Sequence, residues 1–319
     1  MATDIIVRQL LIFGLLIGVG ALAFWRKVIT EEIKNNLSRI VIDVTLPFLI
    51  FTTFANMDGD ATILRNGLLV FTLAFINLFV FSLVGKLSSR LLKLNPSQAT
   101  VHTLHTMLGN IVFLGFPLLD ALFPNGVGVF YAAMYQLASN SVTFTYGVYR
   151  LSAGTHKSGW KSLINFNTIA LLLGAMVLII GVPIPSFVNS SFMSLGKCTS
   201  PLSMVYIGAM LASMNIRSAV LQKSIYALSF NKLVFFPSVL AFVYLFVMRW
   251  LGVEMSKEAF FVVILQASMP CQTIVVVLSH RYNGDHRLAG ANLFVTTLLS
   301  IVTLPLVFSI VEWIWAYLI

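Results

Sequence analysis

An all-α membrane protein of ten transmembrane helices, set out as two inverted five-helix repeats with crossed broken helices at spans four and nine, is the fold this sequence predicts. Three observations predict it. Hydrophobic residues make up 58% of the 319 and charged residues only 10%, at a mean hydropathy of +0.93, too few charges to cover a water-soluble domain. The apolar residues come in blocks of roughly 20, the length a helix needs to cross a hydrocarbon core. No segment alternates as a membrane β-strand does, so helices are the spanning solution that fits.

The chain opens MATDIIVRQLLIFGLLIGVGALAFW, with no Ala-x-Ala-like cleavage site after it. It therefore reads as a first span over 6–25 rather than a cleaved signal. Further spans are predicted over 37–56, 66–88, 99–123 and 127–149. A polar connector, SAGTHKSGWKSLIN at 152–165, precedes spans over 166–184, 192–214, 225–249, 259–280 and 288–317. The organisation is a first repeat over 1–150, a connector over 151–165 and a second repeat over 166–319.

The net charge of +9 would suggest nucleic acid in a soluble protein, but here the basic residues sit in short loops between spans. With the N-terminus outside, the cytoplasmic connections carry Arg26, Lys27, Lys34, Arg39, Lys86, Arg90, Lys93, Arg150, Lys157, Lys161, Arg217, Lys223, Arg281 and Arg287. The outer side has only Arg8, Arg65, Arg249 and Lys257, with Lys197 and Lys232 unassigned. This bias puts both termini outside and the connector in the cytoplasm. Five spans in each half then force opposite topologies on the halves, the arrangement of an inverted-repeat carrier. Prolines point the same way. Pro47 and Pro117 are 70 residues apart in the first half, Pro201 and Pro270 69 apart in the second. Turn signals follow spans four and nine, at Pro124-Asn125-Gly126 and Asn283-Gly284.

Proline lacks an N–H and clashes with the preceding turn, so spans four and nine are expected to break near Pro117 and Pro270. Each break starts a half-helix whose free N–H groups and positive dipole end favour an anion, and no fixed positive side chain is required. Uncharged polar residues cluster there: Asn110 before Pro117, Gln266 before Pro270, Gln272 and Thr273 after it, and Gln136 with Asn140 on one face of span five. Buried amides and hydroxyls need partners, either a carboxylate guest or broken backbone and neighbouring helices. Asp43, four residues before Pro47, reads equally as a proton- or ion-coupling residue and as a packing residue. Asp120 is expected at the interface, and His102 and His105 at the cytoplasmic boundary of span four.

Several chemistries lack their residues. Cys198 and Cys271 lie 73 residues apart with no paired ligand spacing, so neither a disulfide framework nor a metal site is predicted. No P-loop lysine motif, His-Glu-x-x-His or Gly-x-Ser-x-Gly occurs, so no enzyme activity and no cofactor is expected. Paired acidic residues near the breaks are missing, as is a carboxylate beside Pro270.

Four segments carry a resemblance: LSRIVIDVTLPFLIF (37–51), GNIVFLGFPLLDALF (109–123), TSPLSMVYIGAML (199–211) and ASMPCQTIVVVLSHRYN (267–283). In order and at this spacing, the chain resembles the auxin efflux carrier family, which includes bacterial malonate- and malate-type permeases and plant auxin exporters. The resemblance implies a scaffold of spans one, two, six and seven and a mobile transport domain of spans three to five and eight to ten. It implies crossovers at Pro117 and Pro270, and roles for Asn110 and Gln136. Plant exporters carry proline-glutamine-glycine at the second crossover; here the sequence is Pro270-Cys271-Gln272-Thr273, which argues against auxin itself. The expectation is a secondary transporter of small organic carboxylates in the cytoplasmic membrane, a homodimer in the lipid bilayer with no nucleic-acid partner. Its rivals are a sodium- or proton-coupled carrier of bile-acid or cation-antiporter type, and a membrane receptor that binds its ligand without moving it.

Overall fold

The computed structural model describes residues 2–57, 60–123, 125–154, 164–181, 183–214 and 221–318, and every regular element among them is a helix. The middle of the connector, with Lys157 and Lys161, lies outside the described residues, as do Pro124 and Arg217. In chain order the first helices are α1 (Ala2–Trp25), α2 (Glu31–Ile40), α3 (Leu46–Ala55), α4 (Ala61–Leu91), α5 (Pro96–Met107), α6 (Phe116–Leu122), α7 (Val127–Val142) and α8 (Val148–Leu151). They continue as α9 (Phe166–Ile180), α10 (Ser186–Lys197), α11 (Thr199–Ser213), α12 (Lys223–Phe230), α13 (Phe236–Leu251), α14 (Lys257–Ala267), α15 (Thr273–Arg281) and α16 (His286–Leu318).

Among the described residues, five helical stretches are long and apolar enough to cross a membrane: Val7–Trp25, Glu31–Ala55, Ala61–Leu91, Lys223–Leu251 and His286–Tyr317. Shorter or interrupted helices cover the other expected spans. Local chemistry sets many ends. Asn95 accepts the Gln98 N–H at 2.9 Å with Pro96 in the first turn of α5, and Ser256 accepts the Ala259 N–H at 3.2 Å to start α14. Gly181 and Gly252, at φ 72° and 66°, close α9 and α13 in the left-handed conformation that glycine adopts without a steric cost.

π-Helical turns at Val41–Thr45, Ile111–Gly115 and Asn231–Phe235 each begin six residues before a proline, at Pro47, Pro117 and Pro237. An α-helix that meets a proline must bend, break or widen, because the ring collides with the carbonyl one turn back. These helices widen by one residue and continue. The expected break near Pro117 is therefore corrected: the chain is helical from Ile111 through Pro117 to Leu122, and the interruption falls at residues 108–110. The four prolines that suggested the repeat also sit in unlike places. Pro47 and Pro117 follow π turns, Pro201 lies in the first turn of α11, and Pro270 occupies an unwound segment.

The chain forms two compact units. The first comprises Met1–Leu68, Val112–Gln136 and Leu163–Met214. Within it α1 lies along α11 so closely that a Cβ on Gly208 would overlap the Ile17 carbonyl oxygen, and one on Gly20 that of Val205. Gly174 of α9 and Gly196 of α10 likewise admit α3, with a Cβ falling 2.8 Å from Phe54 Cβ and 2.9 Å from Leu49 Cα. Small residues at such contacts let backbones approach, which is how helices gain dispersion energy where lipid offers no hydrophobic drive.

The second unit comprises Leu69–Ile111, Leu137–Ser162 and Asn215–Ile319. Its centre is α14, where residues 259–267 are all buried, together with residues 101–107 of α5. A helix apolar and enclosed on every side belongs in the middle of a bundle. Gly85 of α4 sits against α5, where a Cβ would come 2.8 Å from Thr103 Cα. The hydroxyl of Tyr244 donates to Asn77 Oδ1 at 2.6 Å, tying α13 to α4. Replacing Gly208 with Leu should drive α1 from α11 and cost about 1–3 kcal/mol by overpacking. The thermal midpoint in detergent should fall accordingly, while Gly14→Ala, with nothing within 4 Å of the new Cβ, leaves it in place.

Candidate functional site

α5 ends at Met107, and Leu108 turns extended at φ −101° and ψ 124°. α14 ends at Ala267, and the chain stays unwound to Gln272, itself extended at φ −76° and ψ 129°. The two interruptions lie side by side in the second unit as an antiparallel bridge of Gly109 with Cys271. The Asn110 N–H donates to the Pro270 carbonyl at 2.7 Å, and the Gln272 N–H to the Leu108 carbonyl at 3.2 Å. Glycine is needed at 109 for close approach: a Cβ there would sit 3.1 Å from both the Gln266 carbonyl oxygen and Met269 Cβ. Pro270 costs no hydrogen bond here, because the bridge uses its carbonyl and asks for no N–H.

Neighbouring elements cover most of the remaining backbone groups. The Cys271 N–H donates to Thr296 Oγ1 on α16 at 3.0 Å, and the Cys271 thiol to the His105 carbonyl at 3.7 Å. Lys232, in the π turn Asn231–Phe235, donates from Nζ to the Thr106 carbonyl at 3.0 Å. His105 Nε2 lies 3.3 Å from the Gln272 carbonyl, an acceptor that places the ring proton on Nε2. The Thr143 hydroxyl is 3.3 Å from Gln272 Oε1. The His105, Thr106 and Leu108 carbonyls at the end of broken α5 are thus covered by a thiol, an ammonium and a backbone amide. The N-terminus of α15 has no side-chain cap. A helix start left open in this way keeps its positive end directed at the interruption.

Several buried polar atoms beside this bridge have no partner. Both amide atoms of Gln266 are buried and unbonded, as are both of Asn292 on α16 and the Thr273 hydroxyl. Asn292 lies one turn from Thr296, whose hydroxyl donates back to the Asn292 carbonyl at 2.7 Å. Buried amides left without a partner are costly, and here they cluster beside a helix break.

Of the residues the sequence singled out, Asn110, Gln266, Gln272, Thr273 and Pro270 come together at the bridge. Asn140 is half-buried three residues before Thr143 on α7, and Gln136 is buried one turn earlier, at the edge of the first unit. Pro117 is absent from the bridge, for the reason given above. Asp43 is exposed on the first unit, in the π turn Val41–Thr45. His102 and His105 are both fully buried in the second unit, His102 with Nε2 3.0 Å from Ser88 Oγ. The sequence reading missed Asn292, Thr296 and Lys232. A lysine inside an apolar helix was the available signal for the last.

Several membrane-length helices and the family match together identify a membrane transporter. The chain belongs to the auxin efflux carrier-like membrane transport family, whose pattern, described as membrane transport protein, matches residues 5–308. It is similar to an uncharacterized transporter of Methanocaldococcus jannaschii, 27% identical over 93% of this chain and 96% of that one. It is also similar to the uncharacterized transporter YfdV of Escherichia coli, 23% identical over 88% of this chain and 90% of the relative. A third relative, an uncharacterized transporter of Methanothermobacter thermautotrophicus, is 26% identical over 88% and 89% of the two chains.

Because Thr296 accepts the buried Cys271 N–H, Thr296→Val should leave that donor stranded. A loss of about 1–3 kcal/mol is expected, read as a lowered thermal midpoint, and Thr296→Ser should recover most of it.

Proposed function

We propose that this protein is a secondary transporter of small organic carboxylate anions, malonate- or malate-like in scale, working by alternating access about the helix crossover. In this reading the chain crosses the cytoplasmic membrane ten times as two inverted five-helix repeats, with both termini outside. Spans one, two, six and seven form a dimerising scaffold, and the remaining spans carry the guest. One observation bears the most weight. At the bridge of Gly109 with Cys271 the carbonyl ends of α5 are covered, the start of α15 is not, and the amides of Gln266 lie buried without partners. The start of α15 offers a positive helix end and the Gln266 amide nitrogen a free donor, which suits a carboxylate. Asn110, Gln136, Asn140, Gln266, Gln272 and Thr273 are the proposed contacts.

Alternating access requires the loaded site to face each side of the membrane in turn, so counterflow of radiolabelled carboxylate in proteoliposomes tests it directly. Accelerated exchange supports a carrier, and binding without exchange makes the protein a receptor. Sodium dependence of binding, or loss of transport in Asp43→Asn, would favour the ion-coupled carrier of bile-acid or cation-antiporter type. Gln266→Leu should hold or raise the thermal midpoint, because it removes two unpartnered buried atoms, yet weaken carboxylate binding about tenfold or more. Asn110→Ala should weaken binding with the fold retained; unchanged affinity removes Asn110 from the site.

A further inference from the structure

Lys232 lies nine residues into the membrane-length helix Lys223–Leu251. That is about 14 Å along a helix axis, close to half the thickness of a hydrocarbon core. It is 1% exposed, and among the described residues it is the one lysine, arginine, aspartate or glutamate that is fully buried. Its contacts are the Thr106 carbonyl at 3.0 Å and the face of the Phe81 ring at 5.6 Å. Neither is a carboxylate. A buried ammonium without a counter-ion is held at a cost that proteins avoid unless the charge is used.

Capping broken α5 does not account for the charge. The His105 carbonyl is covered by the Cys271 thiol and the Leu108 carbonyl by the Gln272 amide, so neutral donors serve the same helix end. The ammonium supplies a charge beyond the hydrogen bond. Its placement comes from the π turn Asn231–Phe235, whose extra residue offsets the helix face by about 100° before Pro237.

We propose that Lys232 is the charge selector of the crossover: it holds the positive charge that a carboxylate guest neutralises, and so discriminates an anion from its neutral isostere. The inference rests on the transport reading above and assigns its specificity to one side chain. The Phe81 ring faces the ammonium at 5.6 Å and favours its charge without supplying a counter-ion, so that place is left to a guest.

The test uses the purified full chain with malonate, indole-3-acetate and their amides malonamide and indole-3-acetamide, affinity being read by ligand-induced thermal shift. Wild type is expected to prefer at least one carboxylate over its amide by about tenfold or more. Lys232→Gln keeps a neutral donor for the Thr106 carbonyl and should reduce that preference to about threefold or less, whereas Lys232→Arg keeps most of it. Lys232→Met, which removes the donor as well, serves if the Gln variant does not fold. A neutral variant that keeps the wild-type preference, with only a lowered thermal midpoint, makes Lys232 a helix cap and overturns the inference while leaving the transport reading in place. Wild type that binds neither carboxylate overturns both.

Discussion

Everything in the second unit answers one constraint: a helix interrupted inside a bilayer exposes backbone N–H and C=O groups where no water reaches them, and each must find a partner. The interruption at residues 108–110 finds its partner in the interruption at residues 268–272. Two backbone hydrogen bonds, from Asn110 to Pro270 and from Gln272 to Leu108, make each break the remedy for the other. Neither break is tolerable alone. The pairing explains why glycine stands at 109 and why proline is harmless at 270. It also explains why α16 brings a threonine hydroxyl to the Cys271 amide.

The same constraint shows what was legible in the sequence. Helix positions follow from apolar block length, because the bilayer sets a length that composition reveals directly. Asn110, Gln266, Gln272 and Thr273 stood out for a related reason, being amides and hydroxyls in apolar runs. What misled was proline. Pro117 and Pro270 look alike in the sequence, yet one is absorbed by a widened turn and the other sits in extended chain. The difference comes from what lies opposite. Pro270 faces a second broken strand that accepts pairing, whereas the turn Ile111–Gly115 resolves the defect within its own helix. No local pattern records a partner more than 150 residues away, so the break before Asn110 could be found only in three dimensions.

The buried lysine was hidden by a different cause. A count of basic residues by loop treats each lysine as an inside or outside marker, and Lys232 fitted neither side. Lys197 fitted neither side as well and is exposed, so the count alone did not separate the two, and only the fold shows Lys232 buried. His102 and His105 escaped in the same way. They occupy the polar end of an apolar run, and the sequence did not show that the fold buries both among α4, α5 and the bridge.

The bridge also bears on how such a carrier moves. Residues 108–110 and 268–272 belong to one compact unit and are joined through backbone groups that have no water to turn to. Parting them would strand at least two buried donors and two acceptors, about 1–3 kcal/mol for each unsatisfied group. Local opening of the crossover is therefore an expensive route for releasing a guest. Any movement that carries both interruptions together leaves these two bonds intact. The two interruptions are held as one piece by their own backbone hydrogen bonds. The side-chain amides of Gln266 and Asn292 lie beside the bridge without taking part in the backbone pairing that holds it.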